Sequence, residues 1–129
     1  MIRTESPAHK WRYLPMKIIY FLILSLIPFA SQALEYKVEF ENAEVRVSKI
    51  KMLPGEKVGP HRDECSRIVI GLKGGTYTRI EADGSFTKVS FPPGEAIFLP
   101  ADPVGQLHSG ENGDKELEII VVELKTAGS

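Results

Sequence analysis

The chain is predicted to fold as a compact all-β sandwich or barrel, and three observations predict it. After Leu34 the sequence breaks every six to ten residues at Gly, Pro, Asn or Asp. The runs between these breaks are rich in Val, Ile, Phe and Tyr, side chains that suit a pleated, half-buried surface. No run keeps a helical period of apolar residues over three turns, so short strands joined by turns remain.

The strands are expected, in order, at Tyr36–Phe40, Val45–Leu53, Ser66–Leu72, Thr76–Glu81, Phe86–Phe91, Ala96–Leu99 and Leu117–Leu124. In the second, the apolar positions switch from odd (Val45, Val47) to even (Ile50, Met52). A period of two cannot hold both sets on one face, so a bulge is expected near Ser48–Lys49. Between the fourth and fifth, Asp83-Gly84 signals a hairpin closed by a type I′ turn. Pro92-Pro93-Gly94 and Gly113-Asp114 mark further turns, and Asn112 is read as closing one. The last strand, LEIIVVEL, is apolar at consecutive central positions. It should therefore be covered on both faces, by the barrel interior and by a second sheet or a second subunit. Tyr77, Phe86, Phe91 and Phe98 are read as barrel packing rather than an aromatic cage.

Ahead of this domain, Lys17 precedes an apolar stretch from Ile18 to Ile27 interrupted only by Ser25, followed by Pro28 and by small residues at Ser31 and Ala33. This is the layout of a secretory signal. The stretch falls short of the roughly 20 apolar residues that span a bilayer as a helix, and no stop-transfer charge cluster follows. Cleavage is placed after Ala33, which gives residues 1–33 as an N-terminal extension plus signal peptide and residues 34–129 as one mature domain, exported to the periplasm or secreted, without a stable membrane anchor. Residues 1–15 are long and polar for the front of a signal, and translation is expected to start at Met16.

The chain carries 16 basic and 17 acidic residues. Residues 1–33 hold four of the basic and one of the acidic, so the mature domain is mildly acidic, at minus four. It has no Lys/Arg cluster interleaved with aromatics, which speaks against a nucleic-acid partner. The single cysteine, Cys65, cannot form an intramolecular disulfide. A small domain in an oxidising space must then rely on its core or on association, and a homodimer through uncovered sheet faces is expected.

The chemistry-bearing residues lie in two segments. PGEKVGPHRDECSRIVIGLKGG places Gly55, His61, Asp63, Arg67 and Gly74, and PGEAIFLPADPVGQLHSGEN places Gly94, Pro100, His108 and Asn112. The spacings resemble the two motifs of the cupin superfamily, from about Lys51 to Leu124. That resemblance implies a small double-stranded β-helix, the cupin barrel. In the family, three histidines and a glutamate at these places bind a divalent metal. This sequence departs from the pattern three times. Asp63 stands where the second histidine is found, Arg67 stands where the glutamate is found, and three extra residues separate Pro100 from His108.

His61 and Asp63 are two apart, so on an extended segment both side chains leave the same face. His108, from a separate strand, would complete a two-histidine, one-carboxylate set suited to Fe(II) or another divalent ion with open positions. This requires ADPVGQL to bulge as a loop, which Asp102-Pro103 and Gly105 favour. The order His-x-Asp…His also resembles that of 2-oxoglutarate-dependent oxygenases, but no arginine follows His108 to hold the cosubstrate carboxylate. Arg67, a permanent cation, opposes a tightly held ion. In the metal-free state it is expected to contact Asp63 or Glu64, or to bind an anion bidentately.

The expected metal ligands are thus His61, Asp63 and His108, with Arg67 and Glu64 as ligand-binding residues. The donor set does not select among iron, manganese, zinc and nickel. The expected function is binding of a small polar or anionic molecule in the barrel, with a divalent metal as the candidate cofactor. The competing readings are a metal-dependent enzyme of the oxygenase or isomerase type and an inert interaction module.

Overall fold

The computed structural model describes residues 34–125. The signal-like segment, the start at Met16 and the cleavage after Ala33 lie outside the described residues. Among the described residues there is no helix. In chain order the strands are β1 (Glu35–Glu41), β2 (Val45–Met52), β3 (Lys57–His61), β4 (Arg67–Lys73), β5 (Thr76–Glu81), β6 (Phe86–Ser90), β7 (Ala96–Leu99), β8 (His108–Asn112) and β9 (Leu117–Leu124). They form a five-stranded sheet ordered β1-β2-β9-β4-β7 and a four-stranded sheet ordered β3-β8-β5-β6. Every strand pair is antiparallel.

The core lies between the sheets. Met52, Val69, Phe91, Leu117, Ile119 and Val121 are its buried apolar side chains. β9 alternates strictly, with Leu117, Ile119 and Val121 buried and the residues between them half-buried. One face of β9 therefore meets the barrel interior, as expected. Its other face looks outward, and among the described residues no second sheet covers it.

The parity switch in β2 is resolved without a bulge in that strand. β2 pairs with β9 without interruption from Val45 to Met52. Ser48, Ile50 and Met52 line the interior, which leaves Val45 and Val47 on the outer face. Ser48 fits the core because Tyr36 shares a 2.9 Å hydrogen bond with its hydroxyl. The bulge sits opposite, in β1, where the register slips between Val38 and Phe40. The extra residue is Glu39, so Tyr36 faces inward and Phe40 outward.

The β5–β6 hairpin forms, but its turn is not type I′. Only Gly84 of the Asp83-Gly84 pair has positive φ, at 85°, whereas type I′ needs both. Glu81 O accepts from Gly84 N, and Glu81 N donates to Ser85 O, the pattern of a type I turn followed by a glycine bulge. Asp83 Oδ1 accepts from the Ser85 amide and hydroxyl, which holds Asp83 out of the left-handed region. Two of the expected packing aromatics are also corrected. Phe86 and Phe98 are 66% and 61% exposed.

β3 and β8 have no counterpart among the expected strands. Their sequences, KVGPH and HSGEN, carry glycine, proline and polar residues that read as turn. Pairing against each other and against β5 overrides that local preference. Asn112, at the end of β8, is buried and donates to the carbonyls of Met52, Leu53 and Lys115. It closes the β8–β9 turn, as expected, and ties that turn to the end of β2.

Candidate metal centre

β3 and β8 carry the two histidines, and His108 arrives from a strand separate from that of His61, as expected. His61 ends β3, His108 begins β8, and the two are paired directly across the ladder. Their rings lie 4.3 Å apart, centroid to centroid. Beyond β3 the chain runs on without regular structure, and Asp63 returns its carboxylate to the same place. The Nε2 atoms of His61 and His108 stand 3.8 and 3.4 Å from Asp63 carboxylate oxygens. One ligand atom from each of the three residues lies within 4.8 Å of the others. ADPVGQL is a loop, turned at Val104-Gly105 with a Pro103–Gln106 hydrogen bond and Gly105 at φ 81°, so the extra residues do not shift the register of β8.

The chemistry of the donors fits a divalent ion. His61 Nδ1 lies 2.9 Å from the Gly59 carbonyl, which can only accept, so Nδ1 carries the proton and Nε2 keeps its lone pair. His108 Nδ1 lies 3.0 Å from Asp102 Oδ2, out of line for a hydrogen bond but close enough for the carboxylate to favour the same tautomer. Both imidazoles thus present Nε2 towards Asp63, each backed by an acceptor behind it, which is how metal-binding histidines are held. The separations of 3.4 and 3.8 Å approach the roughly 3 Å expected between adjacent ligands of an ion at about 2.1 Å.

Two guanidinium groups share the site. Arg67 at the start of β4 pairs with Asp63 Oδ2 at 2.5 Å, the contact expected in the absence of metal. Arg79 on β5 donates to Asp102 Oδ1 at 2.8 Å and to Glu81 at 2.5 Å, and its Nη1 stands 3.5 Å from His108 Nε2. Glu64, by contrast, is not brought to the site. Its carboxylate is exposed and pairs with Arg62, because the turn after Asp63 points it to solvent.

Asp102 and Arg79 are the residues that the sequence reading missed. Asp102 is 8% exposed and exchanges two bonds with Asp63, accepting from its amide and donating its own amide to the Asp63 carbonyl, both at 2.8 Å. The loop that looked like a plain insertion therefore pins the Asp63 segment and backs His108. Burial pushes the Asp102 carboxyl up, but the Asp63 amide and the Arg79 guanidinium outweigh it and hold the group below its usual range. The only signal was the placement of Asp102 inside the extra residues before His108.

The His108 imidazole is held below its ordinary range, first by burial and then by Arg79 and His61, against the opposite pull of Asp102 and Asp63. In the folded protein it therefore stays neutral where an unfolded chain would gain a proton. From about pH 6.5 down to the folded value, the unfolded state binds more protons, so stability falls on acidification and is fully present above that window. Denaturant titrations of the metal-free protein at pH 7.5 and 5.5 should show this loss, and His108→Gln should reduce it. Equal losses in both proteins would remove His108 as the cause.

The site opens on a cavity of about 550 Å³ whose walls include Met52, Val69, Leu117, Ile119 and Val121. Tyr77, also on its wall, is accommodated because Gly110 opposite has no side chain. Burial and then the negative charge of Asp63 push the Tyr77 phenol up, so it remains a hydroxyl. The chamber is thus apolar in its depth and polar at the triad.

No family model matches the chain, and no curated protein matches it. Solved structures do match. A cupin domain from Bordetella pertussis Tohama I superposes with a TM-score of 0.63 at 22% identity, over 73% of this chain and 95% of that one. The polyketide cyclase RemF from Streptomyces resistomycificus gives 0.54 at 21% identity, over 73% of this chain and 66% of that one. DMSP lyase DddQ from Ruegeria pomeroyi DSS-3 gives 0.55 at 14% identity, over 75% and 49%. The protein has the cupin fold, a double-stranded β-helix.

Proposed function

We propose that this is an exported cupin-fold protein that binds a small anionic molecule with an apolar body, on a divalent metal held by His61, Asp63 and His108. The observation that carries the reading is the shared direction of the two Nε2 atoms towards Asp63. Three protein ligands leave coordination positions open, and the ion there supplies a positive centre for a ligand oxygen. The charge balance supports an anion. Arg67 offsets Asp63 and Arg79 offsets Asp102, so of the other carboxylates on the cavity wall only Glu81 and Glu123, the latter 3.8 Å from Arg46, stand against the two charges of the added ion. The depth of the cavity then receives the apolar part of the ligand. Export is supported by the signal-like segment, a feature of the sequence.

Hexanoate is a suitable probe, being a carboxylate with a short apolar chain. Calorimetric titration of the protein should give hexanoate binding at least about tenfold tighter after loading with Mn²⁺ or Zn²⁺ than in chelator, a gain of about 1.4 kcal/mol. Equal affinity in both conditions would contradict the metal-bound anion. A second reading, a metal-dependent enzyme of the oxygenase or isomerase type, uses the same ligands and finds support in Tyr77, a hydroxyl on the cavity wall under the influence of Asp63. Chemical change of a bound ligand, lost in Tyr77→Phe, separates it from simple binding.

A further inference from the structure

We propose that Arg79 recognises the charged end of the ligand, holding one oxygen of a carboxylate whose other oxygen lies on the ion. The inference rests on the metal-bound anion proposed above and names the side chain that would select it. Arg79 lies on the cavity wall, and two carboxylates fix its guanidinium. Glu81 accepts from Nε at 2.5 Å and from Nη2 at 3.4 Å, and Asp102 Oδ1 accepts from Nη2 at 2.8 Å. Asp102 is itself bonded to the Asp63 amide, so the group is tied both to β5 and to the loop before β8. Nη1 alone is uncommitted. Among the described residues its one contact is His108 Nε2, at the long distance of 3.5 Å.

That contact and a bound ion compete for the same electrons. With its proton on Nδ1, the His108 imidazole has a single lone pair, on Nε2, and the ion takes it. Nη1 then keeps two N–H groups and no acceptor, while the bonds at Nε and Nη2 hold it beside the ion. Leaving a half-buried donor unpaired is costly, and an oxygen that accepts from it recovers that cost. The ligand brings the oxygen. A carboxylate has two, one for the ion and one for the guanidinium, and this planar, charge-assisted match is the one arginine favours. Arg67, the other guanidinium at the triad, is bonded instead to Asp63, one of the ligand set.

Calorimetric titration of the Mn²⁺- or Zn²⁺-loaded protein with hexanoate and with hexanamide tests this. The amide can offer its carbonyl oxygen to the ion, but it then turns only an NH₂ group towards Nη1. The parent should prefer hexanoate by at least about 30-fold, and Arg79→Met should cut that preference at least about tenfold, the worth of one charge-assisted hydrogen bond. Arg79→Lys, which keeps a cation beside Asp102 and Glu81 without the planar fork, should fall between the two. Both variants should bind the metal no more weakly than the parent, since neither removes a ligand. An unchanged preference in Arg79→Met would overturn the proposal and leave the anion to the ion and Arg67. So would a joint loss of metal and hexanoate binding in both variants, which would make Arg79 a support of the triad. Hexanoate affinity that ignores the metal in the parent would overturn the metal-bound anion itself, a failure distinct from these because it shows without any substitution.

Discussion

His108→Ala should weaken divalent-metal binding at least about 100-fold while leaving the barrel folded. His108 is 4% exposed and supplies one of three donors, so its loss leaves two, too few to fix an ion against solvent. Asp102, whose Oδ2 lies 3.0 Å from His108 Nδ1, keeps its bonds to the Asp63 amide and Arg79 when the imidazole is removed, so the Asp63 segment stays pinned and the loss falls on the metal. Asp102→Asn, which keeps the shape and removes the charge, should fall between parent and His108→Ala, since outer partners of this kind are worth about 10- to 100-fold in affinity. Calorimetric titration with Mn²⁺ and Zn²⁺ on the three proteins gives the order. An alanine variant within threefold of the parent would place any ion elsewhere.

Restoring the family pattern should move affinity the other way. In Asp63→His with Arg67→Glu, the guanidinium that sits 2.5 Å from Asp63 is replaced by a carboxylate, and a third imidazole replaces Asp63. One ligand is gained and one cation is removed beside a doubly charged ion, which should tighten binding by about 100-fold, or about 2.7 kcal/mol. Without metal the same protein should be less stable than the parent, because the new carboxylate lies beside Glu123, the β9 neighbour of position 67, whose cation, Arg46 at 3.8 Å, is already held at 2.9 Å by Glu41. A double variant that binds metal no better than the parent would show that positions 63 and 67 do not address a common centre.

The parts of the fold legible in the sequence are those where local pattern and tertiary demand agree. β5, β7 and β9 fall where β-branched and aromatic runs place them, and Pro92–Glu95 turns at Gly94 with φ 78°. β3 and β8 were illegible because their cross-strand partners create them. The Gly59-Pro60 pair and the polar run HSGEN carry no strand signal of their own. The parity switch in β2 did not mark a bulge, because Val45 and Val47 face outward on a regular strand, and the slip between Val38 and Phe40 in β1 is a separate feature. At the site, the resemblance to the two cupin motifs brought together His61, Asp63, His108 and Arg67. Arg79 escaped because it lies outside both motif segments, and Asp102 because it stands at no motif position within the second; they act together through a contact 23 residues apart. Glu64 was credited by adjacency to Asp63, and a loop without strand alternation gives an adjacent residue no fixed face.

The most direct measurement is anomalous diffraction from crystals of the protein grown with Mn²⁺ or Zn²⁺, recorded at the absorption edge of the added metal. The account predicts one peak per chain, about 2.0–2.3 Å from His61 Nε2, His108 Nε2 and an Asp63 oxygen, with Arg79 withdrawn from His108 Nε2. A barrel without a peak at the triad, with Arg67 and Arg79 still resting on Asp63 and His108, would contradict it.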